Sequence, residues 1–567
     1  MTRPFACRGG PAEMAGRNEL VFVPLGGVGE IGMNLGLYGL GPRGARKWLV
    51  VDFGIAFAGP DLPGVEVIYP DISFLEVERR NIAGIVITHA HEDHYGALVD
   101  LWPRLKVPVY ATPFAAGLLA AKGQHDPGSK GIPVKLIEAG GRVQIGPFDV
   151  EMIAVAHSIP EPLALAIHTP LGTVVHSGDW KIDPVPLIGW PADEKRLREL
   201  GDEGVLALVC DSTNAMRDGR SPREADVAQE IAAVVREAPG RVVFTTFASN
   251  VARVRAIAEA AHAAGRHTVI MGRALLRAID VAAELGYMRG LPPFLEADAF
   301  VELPRDKVVA IVTGSQGEPR AALSRAAEDD HAQLALSQGD TVVFSSRAIP
   351  GNEKAINTII NNLVADGVAV ITDRDRLVHA SGHPRRDELA EIYSWLKPGI
   401  VVPVHGEAMH LAAQAKFARQ WGAKVLETVN GRMIRLAPDP AEKVDEVQSG
   451  RLYRDGNLIG DIDSVGVPER RRLAFSGHVS VALAVSANGE LLADPEIGLA
   501  GLPLVDGGGA PFEDRILAAI HGALNGIPKP RRRDAEVLRE AVRRAVRAEV
   551  RDSWGKKPVC TVLLSVL

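Results

Sequence analysis

After a leader of small and polar residues, the chain settles into short apolar runs separated by glycine-rich turns: "LVFVPLGGVGEIG" from Leu20, then "LGLYGLG" and "KWLVVDFG". Runs of this length, bounded by glycine, predict strands joined by tight turns. "GIVITHAH", "FDVEMIAVAHS", "GTVVHSGDW" and "VLALVCDST" repeat a second pattern, in which each apolar run ends directly in polar, reactive residues. In layered α/β folds the strands stay rigid while loops at their ends carry the chemistry. After about Arg220 the period changes. "READVAQEIAAVVREA" has helical spacing and leads into "GRVVFTTFASN"; "NVARVRAIAEAAHAAG" leads into "RHTVIMGRA", and "AINTIINNLVADG" into "VAVITD". Helix alternating with buried strand over roughly 150 residues predicts a parallel, doubly wound sheet. "LVHASGHP" and "PGIVVPVHGEAMH" then return to strands ending in histidine, so the α/β block is expected as an insert in another domain.

These patterns predict a leader over 1–18, a first domain over 19–220 that resumes at 374–440, and an inserted domain over 221–373. Residues 441–467, with "PDPAEKVDEVQSG", are expected to connect to a small α+β domain over 468–567. That last domain holds the strands "HVSVALAVSANGELL" and "VCTVLLSV" and the arginine-rich helix "RRRDAEVLREAVRRAVRAEVR". Its arginines alternate with Asp and Glu, which predicts a solvated, ion-paired face.

Composition narrows the class. With 567 residues, 47% hydrophobic and 23% charged, this is a multidomain globular chain. No stretch approaches the run of about 18 apolar residues that a membrane helix requires, and the leader has no apolar core of a secretory signal. Cys7, Cys210 and Cys560 are too few and too scattered for a disulfide framework or a zinc ribbon, and they suit a reducing cytoplasm. A net charge of −7 argues against a chain that is basic throughout, yet leaves room for local positive grooves.

The densest chemistry lies in "THAHEDH", where His89, His91, Asp93 and His94 follow a buried strand. Alternate positions on a loop leaving a strand can turn to one point, so His89 and His91 are expected to share a metal. Asp93 and His94, one step on, suit a second. Imidazole nitrogen and carboxylate oxygen are ligands that zinc or manganese prefers. His157, Asp179 and His405 each end another strand. With the cluster they make seven candidate ligands, the number expected for two ions sharing one carboxylate. Two ions about 3.5–4 Å apart hold and acidify a water and clamp both oxygens of a phosphoryl displacement.

"THAHEDH", "AHSIP", "HSGDWK" and "PVHGE" resemble the ordered motifs of the metallo-β-lactamase fold. "CDSTNA", the inserted block and "HASGHP" resemble its β-CASP branch, and "PLGGVGEIGMN", "FASNVARV", "GSQGEP", "IPGNE" and "SGRLYRDGNLIGDI" are similar to the ribonuclease J family. The resemblance implies a metallo-β-lactamase αββα sandwich with an inserted doubly wound β-CASP domain and a small C-terminal α+β domain. It implies a cytoplasmic ribonuclease with two divalent ions per subunit, zinc or manganese. Such an enzyme acts from the 5′ end, favours a 5′-monophosphate and has an endonuclease mode. Self-association as a dimer or tetramer is implied as well. His89, His91 and His157 would bind one ion; Asp93, His94 and His405 the other; Asp179 would bridge them. Asp93 and Asp211 would take part in catalysis, and His379 would help to protonate the leaving 3′-oxygen. Ala90 and Trp180 depart from the usual glycine and phenylalanine, and neither supplies a ligand atom.

For holding RNA, "HASGH" sets His379, Ser381 and His383 at alternate positions, so an extended segment would aim all three the same way. With Ala380 and the exposed backbone at Gly382 they are candidates for a phosphate site; the bland alternative is a capped turn before a helix near Arg386. Ala248, Ser249 and Asn250 open the helix after the first inserted strand, where anions are favoured. "GSQGEP" (Gly314 to Pro319) and "SSRAIPGNE" (Ser345 to Glu353) either line the RNA channel or are ordinary turns. The GxGxxG spacing at Gly27, Gly29 and Gly32 lacks a following helix, so it fails as a dinucleotide motif. Asp52 of "DFG", with no kinase motifs beside it, is expected either to support a metal ligand or to be a structural carboxylate. His125, His262, His331 and His521 are expected on surfaces. Rival readings are a thioester or lactone hydrolase on the same metal fold, a DNA nuclease, or a non-catalytic scaffold.

Overall fold

A computed structural model describes residues 17–123, 131–349 and 351–567, so most of the leader and His125 lie outside the described residues. Two sheets face each other in the first domain. One has eight strands, with Glu19–Gly26, Leu35–Gly41, Lys47–Val51 and Ile82–Val86 at its centre. The other has seven, with Leu163–Thr169, Gly172–His176, Val205–Asp211 and Ile400–Val404 central. Their inward residues, among them Phe22, Tyr38, Val86, Phe148, Leu165, Val209 and Val402, form one buried core. A second cluster covers the outer side of the seven-stranded sheet with the helices Glu194–Glu203 and Arg386–Leu396, through Leu197, Leu200, Leu389 and Trp395. The chain thus leaves this domain and comes back to it: Ile400–Val404 pairs in parallel with Val205–Asp211.

Between those two strands lies the insert. Its sheet has the order His267–Met271, Val308–Val312, Val242–Thr245, Thr341–Phe344, Ala369–Ile371, parallel throughout. The strands are apolar over most of their length, with His267, Thr268, Thr245 and Thr341 at their ends, as a sheet covered by helices requires. The doubly wound expectation holds.

The connector expectation needs correcting. Glu442–Glu446 is a strand, paired antiparallel with Arg432–Ala437 in the eight-stranded sheet. Arg451–Asp455 and Leu458–Gly460 form a hairpin. Charged side chains hid Glu442–Glu446, because an edge strand buries little and carries a weak hydrophobic signal.

Residues 57–67 and 452–567 form a second compact unit. Its parallel pair His478–Val485 and Val559–Val566, with Glu496–Ala500 antiparallel on the other side, packs on the helices Phe512–Asn525 and Ala535–Trp554. The arginine-rich helix buries Leu538, Val542, Val546 and Val550 at four-residue spacing, and pairs Arg543 and Arg544 with Glu540 on its exposed side. That is the ion-paired face its sequence predicts. Among the described residues no helix is long and apolar enough to cross a membrane.

Candidate metal centre and flanking pocket

Local conformation explains how one short motif reaches two points. After Ile82–Val86 the chain bends at Thr88 and reaches an extended His91, where the single helical turn Glu92–Tyr95 begins. His89 and His91 converge on one point, and the turn then swings Asp93 and His94 to the next. The "DFG" segment locks this loop. Asp52, at φ 64°, accepts hydrogen bonds from Thr88 N (2.8 Å) and His94 Nδ1 (2.7 Å). A Cβ on Gly54 would stand 1.7 Å from the carbonyl oxygen of Asp93, so only glycine fits there. His405, also at positive φ (53°), is held by its N–H to Gly27 O (2.7 Å), while Gly29 N donates to Gly406 O (3.0 Å). The glycine-rich loop near the N-terminus is therefore a brace for the site. Strain of this kind persists only where surrounding contacts enforce it, and it concentrates at functional sites.

The seven residues named from the sequence come together. Ligand atoms of His89, His91, His157 and Asp179 lie within 4.8 Å of one another, as do those of Asp93, His94, Asp179 and His405. His91 Nδ1 is 3.1 Å from both His89 Nε2 and His157 Nε2. Asp179 Oδ2 sits between the groups, 3.1 Å from His405 Nε2, 3.2 Å from His94 Nε2, 3.7 Å from His157 Nε2 and 3.8 Å from His89 Nε2. Two of the far ring nitrogens have partners, His89 Nδ1 at Thr88 Oγ1 (3.0 Å) and His157 Nδ1 at Gly382 O (2.7 Å), while His405 Nδ1 is buried without one. Such outer contacts fix the tautomer and aim the free lone pair inward.

Electrostatics suits a cation. Burial, reinforced by neighbouring rings, holds the pKa of His89 and His157 well below the usual value and that of His91 at about 4, so all three are neutral donors. Burial alone would protonate Asp179, yet His405, His94 and His383 hold it well below the carboxylate range. Its Oδ1 is buried without a hydrogen-bond partner. Against their burial, Asp179, with Asp52 and Asp93, raises the pKa of His94, and Asp179 raises that of His405. Neutral imidazoles on one side, and on the other a carboxylate with proton-holding imidazoles, mark a place for positive charge. Imidazole and carboxylate together are a donor set for divalent metal.

The "HASGH" expectation is corrected. The segment bends at Gly382 and His383, and its side chains part. His383 Nδ1 lies 2.7 Å from Asp211 Oδ2 and 3.8 Å from Asp179 Oδ2, at the metal cluster. His379 faces elsewhere: burial and Arg253 hold its pKa at about 3, with Glu224, Arg347 and Lys181 the other charges that act on it. Ser381 Oγ accepts from Asn214 Nδ2 (2.9 Å), which also donates to His383 O (3.2 Å). A Cβ on Gly382 would meet His157 Nδ1 at 2.4 Å; this contact with the metal loop, not alternation, decides the segment's course. Asn250 caps the helix Val251–Ala263, accepting from Arg253 N (2.9 Å), with Ala248 and Ser249 half-buried just before it. Gln316 bonds Arg347 O and Ile349 N, joining the two rim segments; Pro350 lies outside the described residues. His262 is exposed, while His331 and His521 are half-buried.

Sequence reasoning missed several neighbours. Asn34 Nδ2 is 3.0 Å from His94 Nε2 and donates to Asp93 O (3.1 Å); only its place in the glycine-rich motif hinted at this. Arg217, Arg347 and Arg385 converge from three loops: burial and the other two guanidinium groups lower the pKa of Arg217, with Asp373 the carboxylate that opposes them. Scattered arginines carry no local signal.

Family models match along the chain: a beta-lactamase superfamily domain over residues 48–245, a ribonuclease J beta-CASP domain over 239–363, a Zn-dependent metallo-hydrolase RNA specificity domain over 367–426, and a ribonuclease J C-terminal domain over 465–566. Ribonuclease J of Sinorhizobium meliloti is 55% identical over 554 residues, covering 98% of each chain. The chain belongs to the ribonuclease J family. Ribonuclease J of Thermus thermophilus is 35% identical, covering 97% of this chain and 95% of its own, and that of Corynebacterium glutamicum is 36% identical, covering 96% and 75%. A crystal structure of a protein of unknown function from Enterococcus faecalis shares the fold alone, with a TM-score of 0.53 at 15% identity over 74% of this chain and 100% of its own. The sandwich, the β-CASP insert and the C-terminal domain are the ribonuclease J architecture.

Proposed function

We propose that this metal-dependent ribonuclease removes nucleotides from the 5′ end of RNA, prefers a 5′-monophosphate, and has a secondary endonuclease mode. His89, His91 and His157 would hold one divalent ion, Asp93, His94 and His405 a second, and Asp179 Oδ2 would serve both. Zinc is favoured by a set of five imidazoles with two carboxylates, and manganese is compatible with the same donors. Bound ions would supply Lewis-acid charge at the phosphorus and a more acidic water. The observation that carries the reading is the convergence of ligand atoms from separate strand ends on Asp179 Oδ2.

In place of His379, His383 takes the proton-handling role. Asp211 orients its ring through Nδ1 (2.7 Å), which leaves Nε2 to hand a proton to the departing 3′-oxygen, so the product keeps a 5′-phosphate. His379, Ser381, Ser249 and the helix start at Asn250 are assigned to the pocket for the terminal phosphate, and the cluster Arg217, Arg347 and Arg385 flanks it with the positive charge RNA requires. Domain limits of 19–220 with 374–446, 221–373 and 468–567 fit this division of labour, the strand Glu442–Glu446 being counted with the first domain. Self-association into a dimer or tetramer is supported by the sheet-edge strand Val559–Val566, where Leu563 and Val566 are exposed. The free thiols of Cys210 and Cys560 fit the cytoplasm.

The test is digestion of one RNA carrying a 5′-monophosphate or a 5′-triphosphate, with product sizes followed over time, with and without chelator. Mononucleotides should appear first and faster from the monophosphate, and chelator should stop cleavage. Internal fragments appearing first from both RNAs would overturn the 5′-end reading.

A further inference from the structure

A chain of fully buried charges runs from the metal loop to the proposed phosphate pocket. Lys181, two residues after Asp179, donates its backbone N–H to Ala156 O (2.7 Å), beside His157. Its ammonium lies 3.6 Å from Glu224 Oε1 and 3.8 Å from Asp183 Oδ2. Glu224 Oε2 accepts from Arg253 Nη2 (2.8 Å), and Asp183 Oδ2 accepts from Glu224 N (3.1 Å). Arg253 Nη1 reaches Ser345 Oγ (2.7 Å), Ser345 O (3.1 Å) and Val378 O (2.9 Å), the residue before His379. Its own N–H donates to the Asn250 cap. Relative exposure is 0% for Arg253, 1% for Lys181 and Asp183, and 3% for Glu224.

Two cations and two anions make this chain neutral, so it is tolerable inside a protein. Even so, buried ion pairs rarely add net stability over apolar packing of equal volume, because desolvation offsets the attraction. What they do provide is one fixed arrangement. The segments they join are those that must keep their spacing: the metal loop at 179–183, the crossing into the insert at 221–224, the helix that starts the phosphate pocket, and the crossing back at 378–379. Glu388 fastens the first two again, accepting from Ile182 N (2.9 Å) and Ser221 N (2.9 Å).

We propose that Lys181, Glu224 and Arg253 are positioning residues that set the distance between the terminal-phosphate pocket and the metal centre, and so fix how many nucleotides leave in each turnover. This rests on the 5′-end reading above. The three side chains touch neither RNA nor metal; they act through Asp179, Asn250 and His379.

The experiment compares Glu224→Gln with the wild type on 5′-monophosphorylated RNA, resolving the first product by length. In the variant, mononucleotide release should slow by about 100-fold, as expected for a misplacement near 1 Å. Dinucleotides and longer first products should appear, and KM should stay within about twofold. Lys181→Met with Glu224→Gln keeps the net charge balanced, and Ser345→Ala removes one partner of Arg253 with little risk to folding; both should shift product length in the same direction, the second least. A folded variant that still releases only mononucleotides, at whatever rate, overturns the proposal. The wild type releasing long fragments first would instead overturn the 5′-end reading, and that is seen without any variant.

Discussion

Two histidine-rich segments, "THAHEDH" and "HASGH", look alike in the sequence and behave differently in the fold. In the first, local conformation leads: the extended His91 and the helical turn after it deal the side chains to two neighbouring points, and Asp52 and Gly54 lock the result. In the second, a tertiary contact decides. Gly382 is pressed against His157, the chain bends, and His383 goes to the metal cluster while His379 goes to Arg253 and Glu224. Spacing rules therefore succeed where the backbone is regular and fail where another loop forces a bend.

The largest expected effect comes from the first segment and its partner Asp179. His94→Ala or Asp179→Ala should reduce RNA cleavage by about 1,000-fold or more, with metal content per chain falling in parallel. Full metal content with full activity would show that the cluster is structural only. The second comparison is sharper. His383→Ala should lower kcat by about 100- to 10,000-fold with RNA affinity nearly unchanged, as for the loss of an acid catalyst. His379→Ala should chiefly weaken the preference for a 5′-monophosphate. If the two variants exchange these phenotypes, the division drawn from the bend is wrong. The smallest effect is at the rim: Arg217→Gln with Arg385→Gln should flatten the salt dependence of RNA binding by about 0.7 in log–log slope for each phosphate no longer neutralised. A slope identical to the wild type would remove the arginine cluster from the RNA path.

The legible parts of the fold share one trait. The inserted sheet has apolar strands and helices of clear period, so its parallel arrangement could be read directly. The strand Glu442–Glu446 could not, because an exposed edge of charged residues has no hydrophobic signature. At the site, His157, Asp179 and His405 were each unremarkable alone, and their place after apolar runs gave them away. Asn34, Arg217, Arg347 and Arg385 gave no such sign, since none ends a strand beside another ligand type. The brace formed by Gly27 and Gly29 was visible as a motif but not as a function: its meaning depends on His405, nearly four hundred residues away.

The sequence by itself determined which residues are the candidate metal ligands and which elements would present them, because hydrophobic period and ligand chemistry are both local properties. Only the tertiary structure decided that His383, not His379, stands beside Asp211, and that Lys181, Glu224 and Arg253 form one buried chain. Those relations depend on how separate segments exclude water and satisfy one another's charges, which no local pattern records.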